Sequence, residues 1–187
     1  MTALKWLAVM VLPVAAQASA ESLLPVEAGS TACSCVAWWQ TEKLRVGQPN
    51  ILNRRDRTTM RFDLSPYLLA GCVSKAKLRL KLKHYGIRDE EEFVVDRLKD
   101  ERESIRAVDT LSEDAETVGR FSIATGEASP VLRSIDVTDA VNGMLSSGHV
   151  HFVVRVRDAT AEKRGNPERQ PRGAEIAKDG LYLEVEP

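Results

Sequence analysis

The chain has 187 residues, 43% of them hydrophobic and 28% charged, with a net charge of −1. That length is enough for one domain with its own core. A charge so near neutrality argues against a nucleic-acid partner, whose phosphates demand a basic excess.

The N-terminal residues read as a secretory leader. Met1 to Lys5 is a short positive start, Trp6 to Ala16 is an apolar run interrupted by Pro13, and Ala18-Ser19-Ala20 is a small-x-small cleavage site followed by Glu21. The run is too short for a bilayer, which takes roughly 20 apolar residues to cross. Cleavage near Ala20 leaves residues 21–187 as a single domain of a secreted, periplasmic or cell-surface protein. No cysteine follows the cleavage site to carry a lipid, and no second long apolar run predicts a membrane span in the mature chain.

The cysteines are Cys33, Cys35 and Cys72. Export to an oxidising compartment favours a disulfide. On a strand Cys33 and Cys35 face the same side, so either is a candidate partner for Cys72, with one thiol left over. Zinc is the alternative use of such residues, but three thiols without a suitably spaced histidine assign no metal site.

Ala37–Thr41 and Lys43–Val46 predict short strands. Thr59 to Leu64 alternates, with Met60, Phe62 and Leu64 on one side. Ala76 to Lys83 alternates more clearly: Leu78, Leu80 and Leu82 point one way, and Lys77, Arg79, Lys81 and Lys83 the other. Phe93–Leu98, Thr117–Ile123 and Leu132–Asp136 are further strands. Val137–Leu145 predicts a short helix with Thr138 as N-cap and Asp139 in its first turn. Val141, Met144 and Leu145 share its apolar face, and Gly148 ends it. Val150–Arg157 alternates again, Val150, Phe152, Val154 and Val156 against His151, Val153, Arg155 and Arg157. Leu181–Val185 is the last strand. Alternation with period two marks strands that have one buried face and one wet face.

Two stretches read as loops. Asp89–Glu116 carries twelve acidic side chains against four basic ones, and Ala159–Arg172 is polar with Gly165, Pro167, Pro171 and the neighbouring Gly173. Many short strands between turn signals predict an all-β fold: a β-sandwich, jelly-roll-like, with one short crossover helix.

The order of these segments resembles a known family. Leu44-Arg45-Val46-Gly47, then Arg57 to Ser65, then Val73 to Leu80 resemble the DNRLRE-type domain. Ser134 to Val141 is similar to its later DVT-x-x-V segment, and Gly180 to Val185 to its last strand. The resemblance implies a jelly-roll sandwich on secreted or surface proteins, related to carbohydrate-binding modules that attach to anionic polysaccharide such as alginate. The chain departs from the family where a tryptophan-containing segment is expected after Val94-Val95. Asp100 to Glu116 stands there instead, acidic and without an aromatic.

The residues show no catalytic constellation. His84, His149 and His151 lack metal spacing, and there is no Gly-x-Ser-x-Gly elbow or phosphate-cradling glycine loop. Carboxylates in 89–116 are numerous enough for a hydrolytic pair, but such runs are usually solvated. His84 and Tyr85 are adjacent and leave a strand on opposite faces. No cofactor is expected, with structural calcium the one compatible ion because acidic loops supply oxygen ligands.

The basic faces carry the functional expectation. Lys77, Arg79, Lys81 and Lys83 lie outward on one strand, and His151, Arg155 and Arg157 outward on another. If the two strands share a sheet, the faces merge into a patch that attracts a polyanion such as an acidic polysaccharide. The same charges also serve to block edge pairing, or lie beneath the acidic segment. Trp38, Trp39 and Tyr85 are the aromatics available for sugar stacking, although aromatic rings mostly serve packing. The leading expectation is a non-catalytic binding module. A structural or assembly subunit that contacts other surface proteins is the second, and a polysaccharide-active enzyme the third.

Overall fold

Alternation drives the chain into strands, and twelve form in the computed structural model, which describes residues 19–33, 38–48, 55–99, 103–107, 111–164 and 171–187. In chain order they are β1 (Glu21–Leu23), β2 (Glu27–Cys33), β3 (Trp38–Gln40), β4 (Leu44–Gln48), β5 (Arg55–Asp63), β6 (Lys75–Tyr85), β7 (Glu91–Leu98), β8 (Ala115–Ile123) and β9 (Val131–Asp136). Helix α1 (Thr138–Ser146) crosses to β10 (His151–Asp158), and α2 (Ala159–Arg164), β11 (Arg172–Ile176) and β12 (Tyr182–Glu186) complete the described chain. Most of the expected leader lies outside the described residues.

The strand order is β1-β12-β6-β11-β4-β5-β10-β7-β8, with β9 on the other edge of β6, β2 beside β5 and β3 beside β2. Neighbours are antiparallel. The single pair Gly47–Asp56 joins β4 to β5, and there the sheet doubles over into two layers. Leu78, Leu80 and Leu82 of β6 meet Met60, Phe62, Phe93, Phe152, Val154 and Val156 of the opposite layer in one buried core. Each such side chain contributes about 1.5–3 kcal/mol by leaving water. The fold is an all-β sandwich with one short crossover helix, as the alternation predicts.

Helix α1 starts one residue earlier than its capping signal suggests. Thr138 is its first residue rather than its N-cap. The Asp136 carboxylate accepts hydrogen bonds from the Thr138 N–H at 3.0 Å and hydroxyl at 2.6 Å. The Thr138 hydroxyl in turn accepts the Ala76 N–H at 2.9 Å, tying the helix to β6. The Thr138 bonds, helped by Lys77 and Lys75, hold the Asp136 carboxyl below its ordinary pKa. Asp136→Ala is expected to cost about 1 kcal/mol, the usual loss of an N-terminal cap, measured by urea denaturation. Val141, Met144 and Leu145 are buried as predicted. At the other end Gly148 takes φ 76°, its N–H bonds Leu145 O, and the His149 N–H reaches Met144 O. That is the paired bonding of a glycine helix stop.

Three expectations are corrected. The acidic stretch is not a continuous loop, because β7, which contains the expected strand Phe93–Leu98, and the start of β8 take part of it and bury Glu91 and Asp96. Glu91 faces Arg172. The second loop contains α2. The pairing of Cys72 with Cys33 is not made. Cys72 is a free, exposed thiol following a turn in which the Gly71 N–H bonds Tyr67 O, near the Asp63 end of β5. Cys33 pairs with Arg55 at its other end. A strand of that length spans roughly 26 Å at about 3.3 Å per residue, and disulfide Cα atoms must approach within about 7 Å. The alternative partner, Cys35, lies outside the described residues. A thiol reagent is expected to label Cys72 in the folded protein without denaturant, and Cys72→Ser to remove that fast phase.

Candidate functional site

Strand β10 sends Phe152, Val154 and Val156 into the core and Val153, Arg155 and Arg157 to the outer side of its layer. The outer side is only partly wet. Val153 packs with Leu98 and Ile105 in a second apolar cluster, with Ala115 against it. The chain around 103–107 and 111–115 therefore lies over this face. Arg155 pairs in register with Thr59 of β5 and Asp96 of β7, and Asp96 pairs with Thr117 of β8 across a bulge between Val95 and Asp96.

These positions build a charged cluster. Arg155 Nη2 donates to Asp96 Oδ2 at 2.8 Å, and Arg157 Nε donates to the same oxygen at 2.7 Å. The Thr117 hydroxyl donates to Asp96 Oδ1 at 2.9 Å. Arg155 Nη1 donates to Ser112 O at 2.7 Å, which fastens the covering segment to the sheet. Arg57 of β5 also lines the resulting groove, which encloses about 430 Å³; a separate groove beside α1 encloses about 470 Å³. Leu111, Ser112 and Glu113 form the wall of the first.

Burial alone pushes the Asp96 carboxyl up. Hydrogen bonds from Arg157, Arg155 and Thr117 together outweigh it and hold the carboxyl below its ordinary value. Burial pushes Arg155 down, and the charges of Arg57 and Arg157 act in the same direction against the attraction of Asp96.

The basic row of β6 stands differently. Arg79 Nε donates to Glu184 Oε2 at 2.6 Å, with Nη2 on the same oxygen. Lys81 Nζ meets Asp179 Oδ2 at 2.7 Å. Lys77 lies between Asp136 of β9 and Glu184 of β12, and Lys83 lies opposite Glu175 of β11. Each of these side chains has an acidic neighbour, on a paired strand for Lys77, Arg79 and Lys83 and on the turn before β12 for Lys81, so this face is close to neutral.

The structure brings Arg155 and Arg157 together and adds Arg57, but it does not merge them with Lys77, Arg79, Lys81 and Lys83. Strands β6 and β10 lie in different layers, and their outward side chains leave the core in opposite directions. His151 sits opposite Asp63 at the far end of β10 from Arg157. Tyr85 ends β6 opposite Gly173 and is half-buried. Trp38 and Trp39 lie on β3, and their side chains are outside the described set. Arg57, Asp96 and Thr117 were missed from sequence. Arg57 had a signal, since Arg55, Arg57, Thr59 and Arg61 alternate with Asp56, Thr58, Met60 and Phe62.

The groove near α1 holds Arg97 tied to Glu116 at 2.8 Å, with Asp136 and Asp139 close by. Among the described residues no group of three or more His, Cys, Asp or Glu side chains is placed to hold a metal ion, and no helix is long and apolar enough to cross a membrane. No protein-family model and no curated protein matches the chain, so its own residues supply the functional argument.

Proposed function

We propose that the chain is a non-catalytic β-sandwich module of an exported protein that binds acidic polysaccharide on the outer face of β5, β10 and β7. One observation carries this reading: Arg57, Arg155 and Arg157 line one groove, in which Arg155 and Arg157 share Asp96 as counter-charge. Guanidinium groups recognise carboxylates and sulfates through charge-assisted hydrogen bonds, and a cationic groove raises the local concentration of anions. The resemblance to the DNRLRE-type domain leads to the same class of ligand.

The test is affinity electrophoresis of the protein through gels containing polyuronate, sulfated or neutral polysaccharide. Retardation by the polyuronate is expected, weakening as added salt shortens the Debye length from about 10 Å at 0.1 M to about 3 Å at 1 M. Equal retardation by the neutral polymer, or none by any polymer, would overturn the reading. Reversing Arg79 and Lys81 to glutamate is expected to leave retardation in place, because those charges are already matched by Glu184 and Asp179.

An assembly subunit is the second reading. Leu68 and the fully exposed Leu69 stand on the loop that leads to Cys72, and exposed adjacent leucines suit a protein contact. Concentration-dependent oligomers in light scattering support it, and a monomer at all concentrations counts against it.

A further inference from the structure

The layer built on β6 carries an apolar hollow among the charges of its outer face. Ser134 of β9, Arg79 of β6 and Tyr182 of β12 stand in one cross-strand row, and Leu132 and Lys81 in the next. Directly paired residues leave a sheet on the same side. Leu78, Leu80 and Leu82 fill the inner side of β6, so these five side chains point outward. Leu132 is 73% exposed, and among the described residues it is the only exposed large apolar side chain on a strand. A scattered surface leucine is ordinary, but this one walls a hollow together with the half-buried Tyr182.

The hollow encloses about 200 Å³, with Arg79, Ser134 and Gly180 completing its lining. That is smaller than the roughly 300–1,000 Å³ of sites for drug-sized ligands, so it seats one ring rather than a chain. Gly180 lets the turn before β12 rest on Lys81, since a Cβ there would lie 2.3 Å from Lys81 Cβ. The same turn sets Asp179 against Lys81. The Arg79–Glu184 pair engages Glu184 Oε2 with Arg79 Nε and Nη2. Glu184 Oε1 and Arg79 Nη1 remain as an acceptor and a donor on one ion pair. Together they answer a hydroxyl, which both donates and accepts. An anion meets Glu184 and Asp179 here, and a cation meets Arg79 and Lys81, so the rim favours an uncharged polyol. A pyranose ring has hydroxyls at its edge and C–H bonds on its faces. The faces suit Tyr182 and Leu132, and the edge suits the ion pair.

We propose that this hollow binds one neutral pyranose ring, stacked on Tyr182 and Leu132 with its hydroxyls at the Arg79–Glu184 pair. It is a second binding face, on the opposite layer from the groove of β5, β10 and β7. It stands whether or not that groove takes a polyanion. Confined to one ring, the contact retards a neutral polymer less than the polyuronate does at low salt.

The test is saturation-transfer NMR of the protein with methyl β-glucoside, at about 0.1 M and about 1 M salt. Transfer to the ring C–H protons is expected. It should be equal at the two salt concentrations, because an uncharged ligand has no attraction to screen, and unchanged by excess polyuronate. Tyr182→Ala is expected to weaken binding about ten-fold, the scale of one aromatic contact. Leu132→Ser alters an exposed side chain and leaves the core intact, so it serves as the second variant. It is expected to weaken binding about three-fold, the scale of partly burying one aliphatic side chain. Undiminished binding in either variant overturns the site. Loss of transfer at the higher salt, or displacement by polyuronate, overturns the assignment to a neutral ring. A dimer that Leu132→Ser dissociates assigns the hollow to a second copy of the chain and overturns the sugar. Retardation by polyuronate without transfer to the glucoside rejects the hollow and keeps the module. Absence of both rejects the two together.

Discussion

Replacing Asp96 with alanine is expected to destabilise the fold by about 3–5 kcal/mol, the cost of removing one partner from a buried ion pair. Asp96 and Arg155 are 3% and 5% exposed, so water replaces little of what is lost. The substitution leaves Arg155 and Arg157 without their common acceptor, and Arg57 beside them. A domain of this kind has only about 5–15 kcal/mol of net stability, so the loss is a large share of the total. Urea denaturation measures it directly. A change below about 1 kcal/mol, typical of exposed ion pairs, would show that the cluster is solvated.

Acid dependence gives the same network a second reading. The folded pKa of Asp96 lies below its ordinary value, and the unfolded chain titrates near the ordinary aspartate value of about 3.9. Its stabilisation is therefore complete above the unfolded value and is lost as pH falls through the lower folded one. The melting temperature is expected to hold level near neutrality and to drop below about pH 4, where Asp96 starts to contribute less. Asp96→Asn cannot titrate at this position, so its melting temperature should be lower at pH 7 and fall less steeply in acid. Parallel acid branches for the two proteins would locate the dependence elsewhere, in Asp136 or Asp63, whose carboxyls also lie low.

The second large effect is expected at Gly173. Its φ is 137°, and an added Cβ would lie 2.2 Å from Val46 O and 3.1 Å from Gly47 Cα. Gly47, its cross-strand partner, has φ 109° and the same crowding from the other side, 2.7 Å from Gly173 Cα. The obstacles are backbone atoms of a paired strand, which cannot turn away as a side chain does. Gly173→Ala is expected to cost about 3 kcal/mol, combining overpacking of roughly 1–3 kcal/mol with a left-handed backbone penalty of about 1–2 kcal/mol. It strikes the β4–β11 ladder beside the Gly47–Asp56 pair, where the two layers join. Gly126→Ala separates the two causes. Gly126 has φ 80° but open space around it, so only the backbone penalty applies. Equal losses at the two positions would mean that the close approach of β4 and β11 carries no energetic weight.

Much of the fold is legible in short windows of sequence. Leu78, Leu80 and Leu82 alternate with Lys77, Arg79 and Lys81, and the strand and its buried face follow from the pleat alone. Val141, Met144 and Leu145 recur at helical spacing, and their common burial follows from the turn of the helix. The candidate site was half legible. Arg155 and Arg157 alternate with Val154 and Val156, so their outward direction was readable. Their counter-charge was not, because the expected strand Phe93–Leu98 does not say which strand Asp96 will face, and its partners are 59 and 61 residues away.

What the sequence alone determined, then, is which residues form strands and which face of each strand is apolar, because both depend on side chains two positions apart. What the tertiary structure decided is which layer each strand joins, that β6 meets its own acids while β10 gathers Arg57 and Asp96, and that an acidic stretch lies partly within the sheet. Those outcomes depend on antiparallel pairing between distant segments. Pairing is set by how the whole chain can cover one core, and a local period carries no information about it.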